Sequence, residues 1–464
     1  MSERDALQFY GGTAGALAPF ALFLAGVGWL GLAGAPDERG FWPVLLAALA
    51  LGLLLARDRN RYAEAVIDGM SRPIVMLMVM AWLLAGVLGT LMGAGGLIDA
   101  LLWIAGGLGL GGTGFVLASF VVCAVVSTAT GTSLGTILLC APLLYPAGGL
   151  LGAEPAVLVG AIIGGATFGD NVSPVSDTTI ASAMTQGADL GGVVRSRLKY
   201  ALAAAALALV AYGVAAAATT AAGSAGGVAL PGSPRGLPML LAPAVALALL
   251  LARRHLVEGL MWGSVTAVVI GLTLGLLAPA QLMSIDADAF IARGLILDGM
   301  ERGIGVSVFT LLLMGLVGGI EATGVTQRVI DGARRRIHSP RGAEAWIFAA
   351  VSAVVVLTTH SAVAILTVGR FASETGAALG IGRYRRANIL DITVCTYPFL
   401  LPFFIPTILI ASTTAAGLDV GLPRVSALQA GLHNFHSWAL LAVVLAAIAT
   451  GWGRNDAVDT TARG

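Results

Sequence analysis

The chain has 464 residues, 57% of them hydrophobic and 11% charged, with a formal net charge of +1 and a mean hydropathy of +0.90. A water-soluble chain carries about a quarter charged residues, so this composition excludes an ordinary soluble domain and makes the bilayer the solvent. The 25 arginines and one lysine fall in short clusters between apolar runs, a pattern that excludes nucleic-acid binding as a main function.

In chain order, Met1–Tyr10 carries Glu3, Arg4 and Asp5 ahead of an apolar run at 12–34. That run shows no small-residue cleavage site and is expected to be a retained helix. Further runs long enough to cross about 30 Å of hydrocarbon lie at 41–56, 73–92, 200–222, 237–252, 259–279, 303–322 and 434–453. Four more, near 114–146, 155–186, 345–370 and 387–416, are interrupted by polar or proline-rich sequence. Lipid-exposed backbone does not tolerate such breaks, so function is expected at them. Cys123, Cys140 and Cys395 lie in apolar segments with neither a pairing framework nor metal-ligand spacing, and read as packing residues.

Val66-Ile67-Asp68-Gly69-Met70-Ser71-Arg72 recurs as Ile296-Leu297-Asp298-Gly299-Met300-Glu301-Arg302, a spacing of 298 − 68 = 230. The same spacing sets Ile180-Ala181-Ser182 on Ile410-Ala411-Ser412 and Thr128 on Thr358. An internal repeat is expected, with residues 1–222 as the first copy, 223–236 as a linker and 237–464 as the second.

Lys and Arg gather in short cytoplasmic loops. Arg57, Arg59, Arg61 and Arg72 precede the 73–92 span, and no basic residue follows it until Arg195, so that span should run from inside to outside. In the second copy only Arg293 and Arg302 precede 303–322, whereas Arg328, Arg334, Arg335, Arg336 and Arg341 follow it. The copies are therefore expected to be inverted. Both flanks of 345–370 are basic, the second through Arg383, Arg385 and Arg386. This predicts a re-entrant hairpin with its tip at Thr358–Ser361, matched by a hairpin over 114–146 with its tip near Ser127–Thr136. The predicted fold is an all-α integral membrane protein, an inverted repeat of about five spans each, with two broken helices and two re-entrant hairpins. Both termini are expected in the cytoplasm. Inverted repeats whose discontinuous helices meet near the midplane are a transporter architecture, because the breaks free backbone dipoles to coordinate ions where water is absent.

The segment Gly169-Asp170-Asn171-Val172-Ser173-Pro174-Val175-Ser176-Asp177-Thr178-Thr179 packs two carboxylates, an amide and four hydroxyls into eleven positions. Pro174 removes a donor and pushes Ser173 out of the α region, which predicts that Asp170 ends one half-helix and Ser176-Asp177 begin the next. An N-cap is the structural alternative for Asp177. For Asp170 a site role is favoured, since a carboxylate at a helix C-terminus meets the wrong end of the dipole and is costly at membrane depth.

Phe168–Thr179 also resembles the signature of the NhaC family of sodium/proton antiporters, within the ion transporter superfamily. Thr130-Gly131-Thr132-Ser133-Leu134-Gly135-Thr136 is similar to that family's Thr-Gly-Thr-Ser-Trp-Gly-Thr element, with Leu134 where an aromatic is usual. The resemblance implies a dimeric secondary transporter with a scaffold domain and a moving transport domain. It also implies that Thr132, Ser133, Asp170, Asn171, Ser173, Ser176, Asp177 and Thr178 contribute to an ion and substrate site, Asp170 and Asp177 holding Na⁺. Some members move small organic acids or amino acids, so that cargo class stays open.

The second break, Pro398–Thr407, has three prolines and no carboxylate, and the 230 spacing sets Asp170 on Leu400 and Asp177 on Thr407. Thr407 is expected to supply a hydroxyl. Asp391 is either a second proton group or, preferably, the ion-pair partner of an arginine such as Arg386. Thr359 and His360, at the second hairpin tip, are candidates because that tip should meet the broken helices. His433 and His436 are three apart and could present two ligands on one helix face, but no third ligand lies near. Glu321 is read as interfacial.

The reading is a secondary active transporter exchanging Na⁺ against H⁺ across the cell (inner) membrane, with no cofactor beyond the transported ion. The same carboxylate oxygens cannot hold both cations. A first rival keeps the fold and moves a small carboxylate or amino acid coupled to Na⁺ or H⁺. A second is an intramembrane enzyme using His433, His436 and Asp391.

Overall fold

The computed structural model describes residues 6–32, 38–174, 176–223, 232–252, 254–286, 291–325 and 339–454. Most of the expected linker and Arg328–Arg336 lie outside the described residues. In chain order the helices are α1 (Gly12–Leu32), α2 (Phe41–Leu55), α3 (Arg59–Met70), α4 (Pro73–Ala94), α5 (Leu97–Gly107), α6 (Gly112–Thr130) and α7 (Ser133–Leu150). These are followed by α8 (Pro155–Val172), α9 (Asp177–Thr185), α10 (Leu190–Gly223), α11 (Leu241–Leu251), α12 (Leu256–Thr273) and α13 (Pro279–Leu282). After a two-stranded antiparallel ribbon, β1 (Ser284–Asp286) and β2 (Ile291–Arg293), come α14 (Leu295–Glu321), α15 (Pro340–Thr358), α16 (Ser361–Ala378) and α17 (Arg383–Val394). The series ends with α18 (Ile405–Thr413), α19 (Ala427–Leu432) and α20 (Phe435–Thr450).

The molecule is an all-α integral membrane protein. Among the described residues ten helical stretches are long and apolar enough to cross a membrane, near the expected tally but not the same set. The arms α6, α7 and α15 of the expected hairpins reach that length, at 19, 18 and 19 residues, whereas α2 and α20, at 15 and 16, fall short of it. Burial orders the layers. The α8–α9 stretch is 94% buried, while the windows over α11, α12 and α10 are only 22%, 28% and 33% buried and turn their apolar faces outward. The centre is reached by removing side chains: a Cβ at Gly165 of α8 would stand 2.2 Å from the Phe120 carbonyl oxygen of α6. In the same way, a Cβ at Gly86 of α4 would meet the Gly299 oxygen of α14 at 2.1 Å.

The interruptions fall where the sequence placed them, and their causes are local. Chain reversal between α6 and α7 uses Gly131 in the left-handed region (φ 72°), then Thr132 in extended backbone as N-cap, its Oγ1 accepting from the Gly135 N–H at 3.2 Å. Between α15 and α16 the same two steps are made by Thr359 (φ 52°) and His360. Thr359 is the one described residue other than glycine with positive φ. Its β-branched side chain is ill suited to that region, at a cost of about 1–2 kcal/mol. Residues 173–176 separate α8 from α9, and 395–404, holding one short 3₁₀ turn at Tyr397–Phe399, separate α17 from α18.

The helix starts keep one spacing. α15 begins 340 − 112 = 228 residues after α6, and α16, α17 and α18 begin 228 after α7, α8 and α9. The expected spacing of 230 therefore holds only upstream of Ser71-Arg72, where a turn divides α3 from α4 while α14 runs on unbroken. Beyond that turn the two-residue difference is absorbed. A spacing of 228 sets Asp177 on Ile405 and Asp170 on Pro398, whereas the expected 230 sets them on Thr407 and Leu400.

Charged side chains tie the elements together. Glu344, fully buried on α15, takes bidentate bonds from Arg385 (3.0 and 3.2 Å) and Arg454 (3.0 and 2.8 Å). Arg72 reaches Glu321 at 2.5 Å, joining the start of α4 to the end of α14. Beyond the spans, Asp189 in the α9–α10 turn accepts from the Tyr384 hydroxyl, which, with the Gly192 N–H, holds its carboxyl below the usual range.

Candidate functional site

A cavity of about 300 Å³ lies where both hairpin turns and both helix breaks converge. Thr132 and Ser133 come from the first turn, Thr359 and His360 from the second, Asp170, Asp177 and Thr178 from the first break, and Pro398 and Pro406 from the second. Three elements build its polar wall. Asp170, in the last turn of α8, accepts from Ser133 Oγ at 2.6 Å through Oδ2 and from Ser176 Oγ at 2.7 Å through Oδ1. Ser176 in turn stands 3.0 Å from Thr178 Oγ1. Ser176 is the N-cap residue of α9, but its hydroxyl turns to Asp170 and makes no cap bond. Asp177 is the first helical residue of α9 and not its N-cap; it is exposed and lines the cavity.

The remaining predicted residues divide between this wall and its support. Ser173 is buried at the C-cap of α8. Asn171 points away from the cavity lining: its Nδ2 donates to Asp391 Oδ1 at 3.0 Å, and its Oδ1 is buried without a hydrogen-bond partner. Thr359 and His360 face the cavity, and His360 Nδ1 is likewise buried and unpartnered. Thr407 does not line it. Its hydroxyl is directed at the carbonyl oxygens of Leu401 (2.7 Å) and Phe404 (2.8 Å), where it closes the turn into α18.

Two expectations need correction. Asp391 pairs with Arg197 at 2.9 Å, both side chains fully buried, and not with Arg386, which donates to Gln186 Oε1 at 2.9 Å. Arg197 was not among the candidates, because at the start of α10, beside Arg195 and Lys199, it reads as one more residue of a basic flank. The histidine pair presents no common face. His436 is packed between the rings of Phe120 and Phe168, at centroid distances of 5.9 and 5.6 Å, with neither nitrogen hydrogen-bonded, while His433 Nδ1 lies 2.9 Å from its own helix's Gln429 carbonyl. Among the described residues no three His, Cys, Asp or Glu side chains gather to hold a metal.

Residues 38–217, which carry the first hairpin, the first break and Arg197, match the model described as the Na⁺/H⁺ antiporter family. The chain is 32% identical over 162 residues to the Na(+)/H(+) antiporter NhaC of Alkalihalophilus pseudofirmus, covering 33% of each chain. The matched segment is thus similar to Na⁺/H⁺ antiporters of the NhaC type. A second relative, the malate-2H(+)/Na(+)-lactate antiporter of Bacillus subtilis, is 29% identical over 164 residues, 35% of this chain and 34% of that protein. The chain thus matches about a third of the length of these relatives. Every predicted site residue except Thr359, His360 and Thr407 lies inside the matched family segment. The family that this segment matches is one of transporters, which supports that reading over the intramembrane enzyme.

Proposed function

We propose that the protein is a secondary active transporter that moves Na⁺ against H⁺ across the cell membrane. The observation that carries this reading is Asp170: a carboxylate at membrane depth, with each oxygen held by one serine hydroxyl, opening on a cavity. Such a group must be neutralised to persist there. A proton and a Na⁺ ion can each do so, but not together on the same oxygens. Ser133, Ser176 and Thr178 would supply neutral oxygens around the cation, Asp177 a second carboxylate on the same cavity, and Thr132, Thr359 and His360 the rest of its polar lining. Ser173 and Asn171 would hold the break in shape.

The constant 228-residue spacing of helix starts supports an inverted repeat, with α6–α7 and α15–α16 as re-entrant hairpins and the two breaks meeting near the midplane. Both termini would then be cytoplasmic, and a homodimer would leave each copy its own cavity. Purified protein in sealed proteoliposomes tests the reading. An imposed pH gradient should drive Na⁺ uptake, and an imposed Na⁺ gradient should move protons. No coupled flux in either direction would end it.

A second reading, exchange of a small carboxylate coupled to Na⁺ or H⁺, is favoured by the cavity, since about 300 Å³ is far more than a bare cation needs. It also agrees with the activity for which the Bacillus subtilis relative is named. The same proteoliposomes, loaded with malate, lactate or amino acids, separate the two.

A further inference from the structure

Arg197 is fully buried and takes no part in the cavity wall. A buried guanidinium persists only when its charge and its donors are all matched. Here NH1 reaches Asp391 Oδ2 at 2.9 Å, the Asn171 carbonyl oxygen at 2.6 Å and Thr179 Oγ1 at 2.8 Å, while NH2 donates to Ser182 Oγ at 3.3 Å and Nε to Asn388 Oδ1 at 3.2 Å. Those partners come from both sides of the first break and from the other broken helix: Asn171 lies in the last turn of α8, Thr179 and Ser182 belong to α9, and Asn388 and Asp391 to α17. The Asn171 carbonyl is one of the four that a helix C-terminus leaves without an internal partner, and a cation is favoured at that end of the helix dipole.

Asp391 differs from Asp170 in kind. Its Oδ1 takes the Asn171 amide at 3.0 Å and the Cys395 thiol at 3.6 Å, and its Oδ2 takes Ser182 Oγ at 3.2 Å besides Arg197. Four donors occupy it, and it does not line the cavity. Asn171, next in sequence to Asp170, is held twice: its backbone oxygen by Arg197 and its side chain by Asp391.

We propose that Arg197, with Asp391 as its counter-ion, is a positioning residue for the ion site, clasping α8, α9 and α17 into one unit and thereby fixing the direction of Asp170. The inference rests on the reading of Asp170 as an ion ligand. Lysine cannot reproduce the fork, so Arg197→Lys keeps the charge but cannot hold Asn171 and Thr179, the partners of NH1, together with Ser182 and Asn388, the partners of NH2 and Nε. The charge-balanced pair Arg197→Gln/Asp391→Asn removes the clasp without stranding a buried charge.

The experiment measures Na⁺-dependent proton flux in proteoliposomes, together with the alkylation rate of Cys395 by a membrane-permeant maleimide in a Cys123→Ala/Cys140→Ala background. The expected result for both variants is a Na⁺ KM raised at least fivefold with Vmax within threefold, and Cys395 alkylated at least tenfold faster in the double variant. A KM within twofold of the parent in either variant would overturn the proposal, because charge compensation alone would then account for Arg197. Should the parent show no Na⁺-dependent flux, the ion reading fails, and the thiol still decides the clasp: equally slow alkylation in parent and double variant would overturn it.

Discussion

Ser133 Oγ stands 2.6 Å from Asp170 Oδ2, so a turn between two helices directly holds the carboxylate of a third, 37 residues further along the chain. The contact joins the first hairpin to the first break at one oxygen, and Ser176 completes the arrangement from across the break. Whatever neutralises Asp170 is therefore sensed by both elements.

Removing either serine hydroxyl should be felt as ion affinity. A hydrogen bond to a charged group contributes about 1.5–3 kcal/mol, so Ser133→Ala and Ser176→Ala are each expected to raise the Na⁺ KM by roughly tenfold or more. Asp170→Asn should abolish coupled flux, since an amide neither carries the proton nor balances the cation. Flux assays on the three variants check this; a fully active Asp170→Asn would remove the site.

The histidines should matter little. His433→Gln, at a partly exposed helix end, is expected to keep flux within twofold of the parent. His436→Gln places a polar amide between two phenylalanine rings, and its expected effect is a lower melting temperature with flux retained in the folded fraction. Thermal unfolding followed in detergent, beside flux per folded protein, separates stability from transport. Loss of flux at unchanged stability would bring the histidines back into the mechanism.

Thr359 carries a backbone cost that glycine would not, as its counterpart Gly131 illustrates. Thr359→Gly should therefore raise stability by about 1 kcal/mol, a shift of a few degrees or less in melting temperature for a chain of this size. If the hydroxyl also serves the cavity, flux falls while stability rises. A destabilised variant would show that the side chain contributes more than the strain costs.

Cysteines introduced one at a time at Ser339 and Gly382, which flank α15–α16, test the hairpin. Both are expected to react with a membrane-impermeant maleimide from the cytoplasmic side. Reaction from opposite sides would make α15–α16 span the membrane an odd number of times and would break the inverted repeat.

Much of this site was legible because a carboxylate is conspicuous in apolar sequence. Asp170 and Asp177 stand in a run where a buried charge has few structural excuses, and Pro174 announced the break between them. The hairpin turns were legible for the same reason, as clusters of hydroxyls between apolar arms. Arg197 was not, since its partner Asp391 lies 391 − 197 = 194 residues away, and nothing local distinguishes it from Arg195 or Lys199. Arg386, the nearer choice in sequence, is turned to Gln186 on another helix. The spacing of 230 read from Asp68 and Asp298 differs by two from the 228 kept by the later helix starts because Asp68 lies upstream of the Ser71-Arg72 turn while α14 runs on unbroken past Asp298, and in so apolar a chain Ile-Ala-Ser can recur by composition alone. His433 and His436 were discounted for want of a third ligand, but helical spacing could not report that one of them is enclosed by aromatic rings from α6 and α8.

The central claim, that Asp170 holds either Na⁺ or a proton, is tested most directly by calorimetric Na⁺ titration of the purified protein across pH 5.5 to 9, with the folded fraction verified at each pH. Where the site carries a proton before Na⁺ binds, each tenfold rise in proton concentration should raise the apparent Na⁺ dissociation constant by up to tenfold per competing proton, by linkage. At higher pH, where the carboxylates are already ionised, binding releases no proton and the dependence should flatten. Asp170 and Asp177 titrating together would give a midpoint that belongs to the pair, and Asp170→Asn should abolish both the binding and its pH dependence. A Na⁺ affinity that stays constant from pH 5.5 to 9 would contradict direct competition.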